Sequence, residues 1–330
     1  MSKLRLSFSC WDYDRMRALA DESVTPQGIE LTCMQHVVEE TFFRMARHRE
    51  FDLAEMSLSS YTVSLSKPDR PFVAIPVFPS RMFRHGFIFT SAKSGIKEPK
   101  DLIGKRVGTP EYQLTAPVWI RGILQDEYGV DAASPQYLTG GLLEPGRVEK
   151  ITLNLPEKFR VGTISTDRTL SEMIVTGEID AIHAPHPPST FYTEPKAVKR
   201  LIEDYHDVER AYYRKTKIFP IMHTVAIRRE VYEANRWIAQ SLMTAFVAAQ
   251  RKVYEDFHHL EAYHTMLPWQ MAYMEETRRE MGDDWWAYGL EPNRHVLDTF
   301  LRYHHEQGLS PKRLKPEDLF APEALESFKI

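Results

Sequence analysis

The sequence has little cysteine, no long apolar run and no large excess of either charge. Its 330 residues include only two cysteines, Cys10 and Cys33. Both lie near the ends of predicted strands, where a thiol behaves as a small buried hydrophobic group, so we expect neither a disulfide nor a metal site from them. No apolar run approaches the roughly 20 residues that span a bilayer. The formal net charge of −4 disfavours a nucleic-acid-binding protein, which normally has a basic face.

The N-terminal stretch MSKLRLSFSCWDYDR passes directly into a charged strand–turn pattern. It contains neither the apolar core of a signal peptide nor a small-residue cleavage site. We therefore expect a cytoplasmic protein without nucleic acid or membrane among its partners. A homo-oligomer stays open.

The common catalytic motifs are also missing. There is no nucleophile elbow, no His-Glu-x-x-His zinc helix, no glycine-rich dinucleotide turn and no Walker lysine. His183 and His186 have a spacing that would suit a metal on a helix, but Pro185 and Pro187 disfavour a helix there, and a loop with two polar rims is the alternative. No cofactor is expected, and a divalent metal stays open.

The stretch 101–128, DLIGKRVGTPEYQLTAPVWIRGILQDEY, predicts a strand, a polar loop and a helix. Residues 105–109 are typical of a short buried strand, which Pro110 ends because proline has no N–H for the sheet. Thr115 is expected to cap a helix that begins at Ala116. A helix N-terminus presents free N–H groups that can bind a carboxylate or phosphate, and an ordinary strand–helix connection is the alternative.

Further strands and helices alternate around this unit. Strands are predicted over 4–9, 28–33, 51–56, 72–78, 85–90, 179–183 and 218–227, and helices over 15–22, 39–48, 169–176 and 229–257. Residues 196–205 fit either a helix or a strand–helix junction, and 260–330 is expected to be helix-rich. The serine-rich segment 57–61 follows a predicted strand, and open α/β sheets bind ligands beyond the carboxyl ends of their strands. It is a second candidate site wall, with an ordinary helix cap as the alternative.

The hydrophobic content of 43% suffices for real cores, and the order of elements indicates two α/β lobes. Lobe I is expected to comprise 1–90 and 223–330, and lobe II 91–222. Two crossings, near 88–93 and 218–226, would join them around a central cleft, and ligand sites favour such interfaces. We expect the cleft to be lined by Ser57, Ser59, Arg81, Thr109, Gln113 and His223.

Four segments carry a family resemblance. They are KDLIGKRVGTPEYQLTAPVWIRGILQDEYGV, FPSRMFRHGFIF, LSEMIVTGEIDAI and FPIMHTVAIRREVYE, and they lie in order over most of the chain, up to about residue 257. The sequence thereby resembles the 4,5-dihydroxyphthalate decarboxylase family, which is similar in fold to type II periplasmic substrate-binding proteins. The resemblance implies a two-lobed α/β fold with a central cleft and a helical C-terminal part. It also implies non-oxidative decarboxylation of a hydroxylated aromatic dicarboxylate.

Two other functions stay open at this stage. A substrate-binding protein of the same fold would hold a small aromatic or heteroaromatic acid without chemistry. A biosynthetic enzyme of this fold would remodel a small heterocycle.

Decarboxylation by ring protonation needs an acid, and histidine suits that role near neutral pH. His223 is the first candidate because it interrupts an apolar strand at the predicted hinge, and His183 and His85 follow. A hydrogen-bonded core residue is the alternative for His223.

A carboxylate that stays on the ring needs a cationic clamp to fix its orientation. Arg81 and Arg84 are the candidates, although Arg81 could also be a surface cation. Trp11 and Tyr112 are candidates for stacking on the ring. The remaining predicted substrate-binding residues are Ser57, Ser59, Thr109, Gln113 and Thr115.

Overall fold

The computed structural model of the chain describes residues 3–259 and 261–325. Within them the chain forms two mixed α/β sheets with helices packed around both. The strands are β1 (Leu4–Cys10), β2 (Ile29–Gln35), β3 (Leu53–Ser57), β4 (Phe72–Ile75), β5 (Ile88–Ser91), β6 (Arg106–Thr109), β7 (Gln136–Thr139), β8 (Val161–Thr163), β9 (Ala181–His183), β10 (Val198–Arg200) and β11 (His223–Arg228).

The helices cover both sheets and supply most of the C-terminal part. They are α1 (Asp14–Ala20), α2 (Val38–His48), α3 (Leu58–Ser64), α4 (Thr115–Tyr128), α5 (Leu170–Thr176), α6 (Thr190–Thr193), α7 (Tyr205–Thr216), α8 (Arg229–Ala234), α9 (Ile238–Asp256), α10 (Gln270–Met281) and α11 (Arg294–Glu306). Short 3-10 turns occupy His85–Phe87, Pro99–Leu102, Glu291–Asn293, Pro316–Leu319 and Pro322–Ala324. The predicted helix-rich region 260–330 includes residues 260 and 326–330, which lie outside the described part.

The first sheet has the strand order β2-β1-β3-β11-β4. β1 runs parallel to β2 and β3, whereas β11 runs antiparallel to both β3 and β4. All five residues of the central strand β3 are buried, as expected for a strand covered on both faces. Because β11 follows the strands of the second sheet in the chain and pairs with β3 and β4, it places residues from distant parts of the sequence side by side.

The second sheet has the order β10-β5-β9-β6-β7-β8. Its strands β9, β6, β7 and β8 are parallel and end on the same side, and β5 runs antiparallel to both of its neighbours, β9 and β10. The predicted helix after β6 is present and ends at Gly129, which adopts the left-handed conformation that glycine tolerates at a helix C-terminus. The capped helix predicted over 169–176 is also present, as α5, and it ends at Gly177 in the same way.

Helix α11 packs closely against α4, and a glycine makes this approach possible. A Cβ atom at Gly122 would lie 2.1 Å from the ring of Tyr303, so any larger residue would push the helices apart. Trp119 on α4 is fully buried and donates its indole N–H to the carbonyl of Ile221, just before β11. α4 is therefore fastened both to the C-terminal helices and to the chain that returns to the first sheet.

Several predicted elements were wrong in their bounds, among them the strand predicted over 72–78, which ends at Ile75, and three more have a local cause. The strand expected over 218–227 begins only at His223, because Pro220 has no N–H to pair with a neighbouring strand. The strand expected from His85 begins at Ile88, since His85–Phe87 forms a turn. The single helix expected over 229–257 is divided into α8 and α9 at Asn235, a residue type that competes with helical hydrogen bonds.

Within the described residues, no helix is both long enough and apolar enough to cross a membrane.

Candidate active site

A buried carboxylate stands in the middle of the first sheet. Glu55 lies on β3 and is fully buried. Its Oε1 atom lies 2.5 Å from Nδ1 of His223 and accepts a hydrogen bond of 2.7 Å from the hydroxyl of Tyr13. Its Oε2 atom accepts the backbone N–H of Trp11 at 3.1 Å. A buried carboxylate with three partners is well satisfied, and this one holds the side chain of His223 in a fixed orientation.

Electrostatics keep this carboxylate ionised. Burial alone would raise the pKa of Glu55, but the neighbouring His223 and the hydrogen bonds from Tyr13 and Trp11 overcome that effect and lower it. Burial and the charge of Glu55 raise the pKa of Tyr13, so its hydroxyl remains a donor. An anionic Glu55 accepts the Nδ1–H of His223, which leaves Nε2 as the ring nitrogen available to a ligand.

His223 is partly accessible, unlike its partner. Its side chain is 16% exposed, whereas that of Glu55 is 0% exposed. The ring packs edge-to-face on Phe42 of α2, with ring centroids 4.9 Å apart. His223 is therefore hydrogen-bonded, as the core alternative required, and also reachable, as a proton donor requires.

A second cluster lies where α2 meets loops of the second sheet. Glu111, in the loop between β6 and α4, is fully buried and contacts Lys150 and Arg147. Arg147 also reaches Glu39 on α2, at 2.6 Å between Nη2 and Oε2, and Nζ of Lys150 lies 3.6 Å from the same Glu39 oxygen. Burial alone would raise the pKa of Glu39, but Lys150, Arg147 and His223 together lower it. Phe42, three residues beyond Glu39 on α2, packs on the ring of His223, so this cluster lies near the Glu55–His223 pair.

The predicted hydroxyl residues form a buried network where α3 and α4 begin. Thr115 Oγ1 lies 2.8 Å from Ser57 Oγ and accepts the backbone N–H of Ser59 at 3.0 Å. His304 Nε2, on α11, lies 3.1 Å from Ser59 Oγ. The expectation that Thr115 caps α4 was wrong, because Thr115 is the first helical residue and its hydroxyl binds α3 instead.

Gln113 extends this network toward the charged cluster. Its carbonyl oxygen accepts the hydroxyl of Ser60 at 2.7 Å, and its amide donates to Glu111 Oε2 at 2.9 Å. Thr109 donates its hydroxyl to the carbonyl of Glu111 at 3.2 Å and is buried. These side chains join the two sheets rather than lie open to a ligand.

Arg81 is buried, so the surface-cation alternative was wrong. Its guanidinium donates to the carbonyls of Phe219 and Ala287, at 3.3 and 2.7 Å, and also contacts Asn293. Burial lowers its pKa to about 10. These contacts tie the segment before β11 to the C-terminal region.

Arg84 is likewise buried, next to both crossing segments. It donates to the carbonyl of Pro185 at 3.0 Å and its Nε lies 3.1 Å from the sulfur of Met222. Burial lowers its pKa to about 9. Neither Arg81 nor Arg84 pairs with a carboxylate among the described residues.

The other two candidate histidines are buried in different places. His183 ends β9, and neither ring nitrogen has a hydrogen-bond partner within the described residues. Burial and the charge of Arg121 lower its pKa to about 3. His85 packs against Tyr212 of α7, and burial lowers its pKa to about 4. The structure does not bring either ring to the Glu55–His223 pair.

The two stacking candidates have opposite environments. Trp11 is 42% exposed and lies beside Glu55 through its backbone. Tyr112 is fully buried, and Arg121 covers its ring at 4.0 Å. Only Trp11 offers an open ring face.

Sequence reasoning missed six residues of these clusters. Glu55 had a usable signal, because it is a carboxylate inside an otherwise buried strand, where an unpaired charge is costly. The other five gave no comparable pattern: Tyr13, Glu39, Glu111, Arg147 and Lys150. In residues 3–259 and 261–325, no group of three or more His, Cys, Asp or Glu side chains is arranged to hold a metal ion.

The fold is shared with solved binding proteins. The alkanesulfonate-binding protein of Xanthomonas axonopodis pv. citri, solved bound to MOPS, superposes with a TM-score of 0.51 at 12% identity over 98% of both chains. A ligand-binding component of an ABC-type import system from Staphylococcus aureus gives 0.52 at 10% identity, also over 98% of both chains. The predicted type II periplasmic-binding-protein-like α/β fold is therefore confirmed.

No family model matches the sequence. Two curated relatives match the sequence. A 4,5-dihydroxyphthalate decarboxylase of Pseudomonas putida is 42% identical over 214 residues, which cover 65% of this chain and 83% of that one. A 4,5-dihydroxyphthalate decarboxylase of Comamonas testosteroni is 43% identical over 330 residues, which is the whole length of both chains. This chain belongs to the 4,5-dihydroxyphthalate decarboxylase family.

Proposed function

We propose that this protein is a carboxy-lyase that removes one carboxylate of 4,5-dihydroxyphthalate as carbon dioxide and forms 3,4-dihydroxybenzoate. The observation that carries this proposal is the 43% identity to a decarboxylase of that name over the full length of both chains. The Glu55–His223 pair supplies the kind of group that the reaction needs.

The chemistry requires one proton and no oxidant. Each carboxylate of the substrate is para to a hydroxyl, which pushes electrons into the ring as a proton reaches the carbon that bears the carboxylate. The bond from that carbon to the carboxylate then breaks, its electron pair restores the aromatic ring, and carbon dioxide leaves. One carboxylate and one proton thus become one aromatic C–H bond and carbon dioxide.

His223 is the proposed proton donor, through Nε2. Glu55 acts as a positioning residue, because it fixes the ring through Nδ1 and its negative charge offsets that of the imidazolium. Tyr13 in turn holds Glu55. His183 and His85 are the alternatives in that order, but burial lowers their pKa values to about 3 and about 4. A neutral imidazole is a far weaker acid than an imidazolium, so both are poorer donors at pH 7.

The substrate is proposed to lie between the two sheets, with lobes of 1–90 plus 223–330 and of 91–222 closing over it. Trp11 is the proposed stacking residue, since its ring is open. We assign a structural role, hydrogen bonding between the two sheets, to Ser57, Ser59, Thr109, Gln113 and Thr115.

The test is release of carbon dioxide from 4,5-dihydroxyphthalate by the wild type and by His223→Gln. Glutamine keeps hydrogen-bonding capacity but has no transferable proton, so turnover should fall by about 10²- to 10⁴-fold while binding changes little. The exposed His186→Gln is the matched control. Wild-type turnover in His223→Gln would move the role to His183 or His85. Substrate binding without any carbon dioxide from the wild type would leave the binding-protein alternative.

A cytoplasmic location and a homo-oligomeric state stay predictions. Cell fractionation and light scattering of the purified protein test them.

A further inference from the structure

Two cations and two carboxylates meet beside His223, and the two carboxylates differ in how firmly they are held. Glu111 is buried and receives the backbone N–H of Lys150 and the amide of Gln113 on Oε2, while Lys150 Nζ and Arg147 bind Oε1. These partners come from two loops of the second sheet, Gln113 from the loop after β6 and both cations from the loop between β7 and β8. Glu111 is therefore a permanent counter-charge for one of the two cations.

Glu39 is the other counter-charge, and it comes from a different part of the fold. It projects from α2 of the first sheet, and its side chain is 37% exposed. The interactions that the structure gives its carboxylate are those with Arg147 and Lys150. Burial and the charge of Glu111 raise the pKa of the nearby Glu149 to about 7, so Glu149 is a weak substitute for it. If the Glu39 side chain turns away, the cationic pair has one uncompensated positive charge.

The position of Glu39 relative to the proposed proton donor follows from α2. Residues three and four positions along a helix share a face. Phe42 packs on the ring of His223 at 4.9 Å, and Phe43 lies 4.8 Å from Nζ of Lys150. The turn of α2 that begins at Glu39 therefore contacts both the imidazole and the two cations.

We propose that Arg147 and Lys150 bind the carboxylate that stays on the ring, and that this carboxylate displaces Glu39 from them. This inference rests on the proposed decarboxylation. It replaces the predicted clamp of Arg81 and Arg84, whose guanidinium groups are engaged by carbonyls elsewhere. A ring held in this way presents its second, ortho carboxylate toward His223.

Ligands of this site differ in whether they possess the carboxylate that Arg147 and Lys150 would bind. Phthalate, 4,5-dihydroxyphthalate and the product 3,4-dihydroxybenzoate all possess the retained carboxylate, whereas catechol has none. Phthalate lacks the hydroxyls that drive decarboxylation, so its binding can be measured by titration calorimetry without turnover.

Arg147→Met keeps much of the side-chain length and removes the charge. We expect phthalate and 3,4-dihydroxybenzoate to bind about 10- to 100-fold more weakly to it, as for loss of a charged hydrogen bond, while catechol binding is unchanged. The control is Arg47→Met, which also removes a cation. Arg47 lies on α2, and its guanidinium stacks on the ring of Phe43 at 4.9 Å. Unchanged phthalate affinity in Arg147→Met, or an equal loss of catechol affinity, would overturn the clamp.

The variant Glu39→Gln tests whether the ligand carboxylate displaces Glu39, because displacement predicts tighter phthalate binding in this variant. Glutamine removes a negative charge that competes for the cations, so we expect phthalate to bind about 3- to 10-fold more tightly. Weaker phthalate binding would mean that Glu39 only joins the two sheets, and would overturn the displacement.

Carbon dioxide release tests the reaction, and phthalate affinity tests the clamp, so the two can fail separately. A wild type that binds phthalate but releases no carbon dioxide from 4,5-dihydroxyphthalate would refute the reaction and leave the calorimetric results to decide the clamp. A wild type that decarboxylates, combined with an Arg147→Met variant of normal phthalate affinity, would refute the clamp alone.

Discussion

Nδ1 of His223 lies 2.5 Å from Oε1 of Glu55, across the antiparallel pair β11 and β3 in the middle of the first sheet. The two residues are 168 positions apart in the chain. β3 is followed directly by α3, whereas the chain reaches β11 only after it leaves the second sheet. The contact therefore joins two strands of the first sheet that the second sheet separates in the chain. The His223 side chain is thereby held in a fixed position at the start of β11.

Replacement of Glu55 by Gln should reduce turnover. The amide can still accept the hydroxyl of Tyr13, but it does not compensate a positive charge on His223. We expect kcat for 4,5-dihydroxyphthalate to fall by about 10- to 100-fold, with little change in the affinity for phthalate. The exposed Glu50→Gln, at the surface pair with Arg44, is the control. Normal kcat in Glu55→Gln would show that the carboxylate has no part in the reaction.

The hydroxyl of Thr115 should stabilise the contact between α3 and α4. Thr115→Val keeps the shape and leaves Ser57 Oγ and the N–H of Ser59 without this partner, which costs about 1–3 kcal/mol of unfolding free energy for a buried group. Thr115→Ser keeps the hydroxyl and should lose less than half as much. Chemical denaturation of the two variants measures this difference. Equal stability of Thr115→Val and the wild type would contradict a structural role for the network.

Much of the first sheet could be predicted from the sequence. Short, largely apolar strands, such as the one predicted over 51–56 and observed as Leu53–Ser57, have few alternatives, and the same is true of α2 with its strong apolar stripe. Helix α7, Tyr205–Thr216, escaped prediction because Tyr212 is its only buried residue among those described. A helix that buries so little has no clear periodic pattern.

The candidate site was less predictable for a different reason. His223 was identified by its own unusual position, but its partner Glu55 depends on which strands become neighbours, and β11 could pair with several strands. Arg147 and Lys150 lie in a long loop without periodicity, and only the tertiary fold brings them to Glu111. Most contacts of this site join segments that are distant in the chain, and a single sequence does not specify which distant segments pair.

Arg81 should be important for stability rather than for binding. Its guanidinium donates to the carbonyl of Phe219 and the side-chain oxygen of Asn293, and both lose this donor in Arg81→Met. The carbonyl of Ala287 keeps the side-chain amide of Asn293 as a donor. We expect a loss of about 2–4 kcal/mol in unfolding free energy, and normal phthalate affinity at temperatures where the variant is folded. Melting curves and calorimetry on one preparation measure both. A stable Arg81→Met variant with greatly weakened phthalate binding would restore Arg81 as the clamp.

The pH dependence of stability should reveal the buried His183. Its pKa is about 3 in the folded protein, lowered by burial and Arg121, against an ordinary value of about 6.5. Below pH 6.5 the unfolded chain therefore binds a proton that the folded chain does not, and stability falls as the pH is lowered toward 3. The loss is about 1.4 kcal/mol per pH unit for one such group, and His304, whose pKa burial also lowers to about 3, adds a similar slope.

His183→Leu isolates the contribution of one ring. Neither of its ring nitrogens has a partner within the described residues, so leucine leaves no group unpaired and the variant should fold. Urea unfolding at pH 7.5, 6.5, 5.5 and 4.5 should show the stability of this variant, relative to wild type, rising by about 1.4 kcal/mol per unit below pH 6.5. The exposed His186→Leu is the control, and turnover of His183→Leu should stay near normal if His223 is the donor. Parallel stability curves for His183→Leu and wild type would mean that the His183 ring is not held neutral in the folded protein.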